Sequence, residues 1–172
     1  MTKPAVYLET SVIGYATSRP TRDLLVAARQ QITQEWFTLR AQEYELFVSR
    51  LVVREIAAGD ASAARDRVDF VQGFEELAIT DEAGDLADRL VASRAIPRKA
   101  AEDALHIAVA SVHGVEYLLT WNCAHIANAA MRQTIETVCR DSGYEPPVIC
   151  TPEELMHDDQ PGPDRRGDST AS

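Results

Sequence analysis

The stretch that decides the fold lies at residues 6–11, which read VYLETS. Its first three residues are apolar and predict a short buried strand, because an apolar run bounded by polar residues is typical of one. That strand delivers Glu9 at its carboxyl end, and Thr10 and Ser11 are expected to cap the helix that follows. Packing alone does not explain a carboxylate directly after a buried strand, so Glu9 is the first candidate functional residue.

Outward from this strand, short apolar runs alternate with helical periodicity along the chain. We predict further strands at residues 45–48, 77–79, 117–120 and 148–150. The predicted helices span residues 21–40, 51–58, 60–74, 81–93, 100–113 and 128–142. Strands that alternate with helices predict an α/β domain with three layers, in which a central, mainly parallel sheet of about five strands is flanked by helices.

The length and composition favour one globular domain. With 172 residues, we expect a single domain over residues 1–157 and a disordered polar tail over 158–172, where apolar residues are scarce. The chain holds 27 acidic and 17 basic residues, and its net charge of −10 excludes a basic surface that coats nucleic acid. A local site for nucleic acid stays open.

Cysteine usage and hydropathy point to the cytoplasm. The three cysteines are odd in number and form no C-x-x-C pair, so neither a disulfide framework nor a zinc knuckle is expected. The sequence shows neither a signal-peptide core nor an apolar run of roughly 18–20 residues, which predicts a cytoplasmic protein without membrane association.

Polar residues from separate segments are expected to meet at one edge of the sheet. In open α/β sheets, functional sites form outside the carboxyl ends of the strands, and the candidates there are Glu9, Glu55, Asp103 and Asn122. Clustered carboxylates repel each other, and Mg²⁺ or Mn²⁺ bound between them removes that cost. A Mg²⁺-dependent phosphohydrolase of small esters is an alternative, although no glycine-rich phosphate loop or D-x-D motif supports it.

Four stretches resemble, in order, the successive motifs of the PIN-domain nucleases. They read VYLETS at 6–11, VVREI at 52–56, EDALHIA at 102–108 and LLTWN at 118–122, and the resemblance spans residues 5–157. It is greatest to the VapC-like branch, the toxin halves of bacterial toxin–antitoxin pairs. The resemblance implies a parallel sheet between helices, Mg²⁺- or Mn²⁺-dependent endonucleolytic cleavage of RNA, a homodimer, and a cognate antitoxin that holds the toxin inactive.

The resemblance also assigns candidate catalytic residues. Glu9 stands where the family usually has an aspartate, and Glu55 matches the motif glutamate. Asp103 matches the aspartate that opens the central helix, and Asn122 stands where many members have a fourth acid. This implies a metal held by Glu9 and Asp103, with Glu55 and Asn122 as further candidate ligands. Because Asn122 lacks a charge, we expect one tightly bound metal. The two departures, Glu9 and Asn122, keep open an alternative, a PIN-like domain that binds RNA or a protein partner without cutting.

Other residues near this edge are candidates for supporting roles. Hydroxyl groups that orient the carboxylates are expected from Thr10, Ser11 and Thr120. Contacts with RNA are expected from Arg54, Arg98, Lys99 and His125, although each cation taken singly is also explained by surface ion pairs. His106 lies three residues after Asp103 on the same helix face, and we interpret it as a hydrogen-bonded interior histidine.

Overall fold

The computed structural model describes residues 2–157, and the predicted tail over 158–172 lies outside the described residues. The strands in this part of the chain are β1 (Ala5–Leu8), β2 (Glu45–Ser49), β3 (Glu75–Leu77), β4 (Tyr117–Leu119) and β5 (Val148–Cys150). The α-helices are α1 (Thr10–Thr17), α2 (Leu24–Leu39), α3 (Arg50–Ile56), α4 (Ala61–Phe70), α5 (Asp81–Ala92), α6 (Ala101–Val112) and α7 (Arg132–Asp141). Short 3₁₀ turns precede β2 and α6, at Ala41–Glu43 and Arg98–Ala100. None of the helices described has both the length and the hydropathy to cross a membrane.

The strands join one parallel sheet in the order β3-β2-β1-β4-β5. β1 lies at the centre, where Val6 is aligned with Leu46 of β2 and with Tyr117 of β4. Chain order runs outward in both directions from β1, so the topology switches between β1 and β4. This sheet and its flanking helices confirm the predicted α/β class.

β1 and α6 contribute to the centre of the hydrophobic core. The side chains of Val6, Tyr7 and Leu8 are fully buried, as are those of Ile107 and Ala108 on α6. Burying a large aliphatic side chain stabilises the folded state by about 1.5–3 kcal/mol relative to leaving it exposed. The carboxylate that follows β1 is therefore carried by a strand that packing holds on both faces.

The start of α1 differs from the prediction. Glu9, rather than Thr10 or Ser11, is the capping residue, because its carboxylate accepts a hydrogen bond from the Ser11 backbone N–H at 3.1 Å. Thr10 is already the first helical residue. The Glu9 side chain therefore lies at the amino end of α1, where the helix dipole favours a negative charge.

The predicted position of β3 is also wrong by two residues. The strand spans Glu75–Leu77 instead of 77–79, because its pairing with Phe47–Ser49 of β2 fixes the register. Ile79 passes beyond the sheet and is 37% exposed. The apolar character of residues 77–79 indicated a strand, but only Leu77 both pairs and is buried.

The helices α4 and α7 differ most from their predicted bounds. α4 ends at Phe70 rather than at residue 74, before a turn in which Gly73 adopts a φ of +90°. α7 begins at Arg132 rather than at Asn128. The side-chain oxygen of Asn128 accepts the Ala130 N–H at 3.0 Å, and this local bond closes a turn in place of the first helical residues.

Candidate metal centre

Glu9 lies at the switch point of the sheet and is only 5% exposed. Hydrogen bonds converge on its Oε2 atom from the Ser11 backbone N–H at 3.1 Å, from the Ser11 hydroxyl, and from the Thr120 hydroxyl at 2.8 Å. The other carboxylate oxygen, Oε1, takes part in none of these bonds. The carboxylate is thus held in one orientation with one oxygen left for a ligand.

The hydroxyls of Ser11 and Thr120 also tie α1 to the loop after β4. The Ser11 hydroxyl accepts the Trp121 N–H at 2.9 Å, and the Thr120 hydroxyl accepts the Asn122 N–H at 2.9 Å. Each hydroxyl has one proton, which it donates to Glu9, so the backbone contacts use its acceptor capacity. Contacts of this kind orient a carboxylate that binds a metal.

Glu55 on α3 and His106 on α6 meet beside Glu9. Glu55 Oε1 lies 2.8 Å from His106 Nε2, and one ligand atom from each of the three residues lies within 4.8 Å of the others. His106 is 1% exposed, whereas Glu55 is partly buried. We name these residues the Glu9–Glu55–His106 cluster. Two carboxylates and an imidazole at this spacing are a donor set suited to a divalent metal ion.

Burial and neighbouring groups act in opposite directions on Glu55. Burial by itself raises the pKa of this carboxyl, but the hydrogen bond and charge of His106, the nearby Thr10 hydroxyl and the charge of Arg54 hold the pKa below its usual value. Thr10 acts by proximity, since its buried hydroxyl forms no hydrogen bond of ordinary geometry. Glu55 is therefore an ionised carboxylate at neutral pH.

A buried chain of hydrogen bonds holds the far side of the His106 ring. The Tyr7 hydroxyl lies 2.7 Å from His106 Nδ1 and 2.8 Å from the Ser49 hydroxyl, which in turn accepts the Val52 N–H at 3.3 Å. Burial raises the pKa of the Tyr7 phenol, and the charges of two nearby glutamates raise it further, so the phenol stays neutral. The interpretation of His106 as an interior histidine is confirmed, but it missed the contact with the cluster.

Asp103 pairs with a different histidine. Asp103 Oδ2 lies 2.9 Å from His125 Nδ1, and both side chains are partly buried. Asn122 closes the turn before His125, because its Oδ1 accepts the His125 backbone N–H at 3.1 Å. Within residues 2–157, Asp103 is no member of the Glu9–Glu55–His106 cluster. The roles of Asp103 and Asn122 as metal ligands therefore stay predictions.

The PIN domain family matches the sequence over residues 6–133. The chain belongs to the PIN domain family. Among solved structures, its fold is similar to that of VapBC2 from Rickettsia felis bound to a DNA fragment from their promoter, with a TM-score of 0.55 and 14% sequence identity over 86% of this chain and 98% of that chain. None of the curated proteins matches the sequence significantly. The family resemblance seen in the sequence motifs is confirmed.

The cluster of this PIN domain fits a divalent metal ion. PIN nucleases generally use divalent metals, and the two glutamates and the histidine supply oxygen and nitrogen ligand atoms at one point of the sheet. After the larger effect of burial, the charges of Glu9 and Glu55 also raise the pKa of the Tyr7 phenol. A cation between Glu9 and Glu55 offsets the repulsion between their carboxylates.

One candidate basic side chain, Arg54, lies beside the cluster of the PIN domain, and two further candidates lie in the turn before α6. Arg54, the residue before Glu55, pairs with Glu102 at 3.1 Å, and both side chains are exposed. An exposed pair of this kind contributes about 0–1 kcal/mol, so it leaves the Arg54 guanidinium free to exchange partners. Arg98 and Lys99 are exposed in the 3₁₀ turn that leads into α6. Their role in binding RNA stays a prediction.

The lowered pKa of Glu55 predicts an acid-dependent loss of stability. A carboxyl whose folded-state pKa lies below its ordinary value of 4.5 stabilises the folded state above that pH, and it loses this contribution as the pH falls through the folded pKa. With EDTA present, the unfolding free energies of wild type and Glu55→Gln should differ most at neutral pH and converge below 4.5. A difference in unfolding free energy that increases as the pH falls would contradict the lowered pKa of Glu55.

Proposed function

We propose that this chain is a divalent-metal-dependent endoribonuclease that cleaves RNA phosphodiesters. The observation that carries the proposal is the Glu9–Glu55–His106 cluster at the switch point of a PIN domain. Glu9 and Glu55 would hold Mg²⁺ or Mn²⁺, with Asp103 and Asn122 as further candidate ligands. The chemistry that such an ion supplies when bound is activation of a water and neutralisation of charge on the phosphodiester.

The side chains around the ion orient the substrate and move protons. Ser11 and Thr120 hold Glu9 through Oε2, which leaves Oε1 for the ion. Asp103 holds Nδ1 of His125, so Nε2 is left to contact a phosphate oxygen or to give a proton to the leaving 3′-oxygen. Positive charge for the RNA backbone comes from Arg54, Arg98 and Lys99.

Cleavage of structured RNAs by the purified chain tests this proposal. We expect internal cuts with Mn²⁺ or Mg²⁺, loss of cleavage on addition of EDTA, and recovery when the ion is restored. RNA cleavage that continues at the same rate in the presence of EDTA contradicts the metal-dependent mechanism. RNA binding without cleavage in either ion favours the alternative, a PIN domain that binds RNA or a protein partner without cutting. Turnover of a small phosphoester but not of RNA favours a phosphohydrolase.

We also propose that the chain is the toxin of a type II toxin–antitoxin pair, acting in the cytoplasm as a homodimer. The VapC-like order of its motifs and the similarity of its fold to VapBC2 support this role. This role predicts a small open reading frame directly upstream of the gene, which encodes an antitoxin with a DNA-binding amino-terminal region. Its product should bind the chain and suppress RNA cleavage, whereas a product that does neither contradicts the toxin role.

A further inference from the structure

We propose that His106 is a nitrogen ligand of the divalent ion and makes this site prefer Mn²⁺ over Mg²⁺. The inference rests on the metal-dependent function proposed above, and it adds a residue that the acidic motifs do not assign. Its support comes from the spacing between His106 and Glu55, from the hydrogen bond on the far side of the His106 ring, and from the chemistry of the donor set.

The ligand atoms of His106 and Glu55 are spaced like two neighbouring ligands on one ion. In an octahedral site with metal–ligand bonds of about 2.1 Å, adjacent ligand atoms lie about 3.0 Å apart and opposite ones about 4.2 Å apart. His106 Nε2 and Glu55 Oε1 are separated by 2.8 Å, and the ligand atoms of the whole cluster lie within 4.8 Å of one another. The buried His106 ring supplies a fixed nitrogen among these oxygen atoms.

The Tyr7 hydroxyl allows His106 to present a lone pair at Nε2. In the tautomer with its proton on Nε2, the ring donates to Glu55 Oε1, and Nδ1 accepts from the Tyr7 hydroxyl 2.7 Å away. With an ion at Nε2, the single ring proton resides on Nδ1 and is donated to the Tyr7 oxygen, while the Tyr7 proton turns to the Ser49 hydroxyl 2.8 Å away. Each of these two tautomers carries a single ring proton, and a ligating histidine ordinarily donates its other N–H in this way.

The mixed donor set discriminates between the two ions. Mg²⁺ binds through oxygen ligands and dehydrates reluctantly, so an imidazole in place of a water disfavours it. Mn²⁺ is a transition-metal ion, and di-manganese carboxylate proteins bind it with glutamates and histidines together. With Asp103 held by His125 at 2.9 Å, the donors that lie together are the two glutamates and His106. The site is therefore expected to select Mn²⁺.

Pulsed EPR of Mn²⁺ bound to the full chain tests the proposal directly. We expect a ¹⁴N hyperfine coupling from a directly bound imidazole in wild type, its loss in His106→Gln, and its retention in His157→Gln. His157 is exposed and serves as the matched control. Titration of free Mn²⁺, with Mg²⁺ as competitor, should show that His106→Gln lowers the Mn²⁺ affinity by about tenfold or more and the Mg²⁺ affinity by less.

Measurements on the wild-type chain keep the proposal open to refutation even if His106→Gln fails to fold. Bound Mn²⁺ without a ¹⁴N coupling, or equal affinities for Mn²⁺ and Mg²⁺, overturns it. Its failure is distinct from that of the nuclease proposal. Mn²⁺ bound through nitrogen without RNA cleavage refutes the nuclease alone, and EDTA-sensitive RNA cleavage without a ¹⁴N coupling refutes the role of His106 alone.

Discussion

Replacing Glu9 by glutamine is expected to lower the rate of RNA cleavage by about a hundredfold, because about 3 kcal/mol of transition-state stabilisation by the ion is lost. The substitution preserves the size of the side chain, and the amide oxygen accepts the hydrogen bonds that Ser11 and Thr120 now donate to Oε2. It removes one of the negative charges that hold the ion. The rate is measured under single-turnover conditions with excess Mn²⁺.

The matched control for this substitution is Glu136→Gln. Glu136 lies on α7 and forms an ion pair with Arg140 at 3.4 Å, in which Glu136 is partly exposed and Arg140 is exposed. Its replacement removes the same charge elsewhere on the molecule and should leave the cleavage rate unchanged. Far-UV circular dichroism establishes that both variants are folded. A Glu9→Gln variant that cleaves RNA at the wild-type rate would show that Glu9 does not hold the ion.

The position of Glu9 at the functional edge could be predicted because it depends on local sequence and on one rule of topology. An apolar run at residues 6–8 predicts a buried strand, and the carboxyl ends of parallel strands meet at one edge. The contact of Glu9 with Thr120, a residue more than a hundred positions away, agrees with this rule. The helix that carries Glu55 begins directly after β2, so the same rule places Glu55 nearby.

The partners of the other polar side chains could not be predicted, since they depend on how separate elements pack. Helical periodicity places Asp103 and His106 on one face of α6, but it does not show that they bond to different residues, His125 and Glu55. The sequence is compatible with Asn122 as a metal ligand or as a turn residue. The structure of the loop after β4 shows that its side chain closes a turn. Tertiary contacts decide each of these cases.

Replacing Tyr7 by phenylalanine is expected to lower the free energy of unfolding by about 1–3 kcal/mol, because it removes the hydroxyl from a buried hydrogen-bonded chain. The phenylalanine ring fills the same space in β1, so packing is preserved. His106 Nδ1 loses its partner 2.7 Å away. The Ser49 hydroxyl loses one partner as well, although it still accepts the Val52 N–H. Urea-induced unfolding of the chain in EDTA measures the change.

The control for Tyr7→Phe is Tyr117→Phe in the neighbouring strand β4. Tyr117 is aligned with Val6 in the sheet and is partly buried, and its hydroxyl forms no hydrogen bond within the described residues. Its substitution is expected to change the free energy of unfolding by less than about 0.5 kcal/mol. If the two variants lose the same stability, the Tyr7 hydroxyl does not hold His106, and the orientation of the ring must come from packing in α6 and from Glu55 alone.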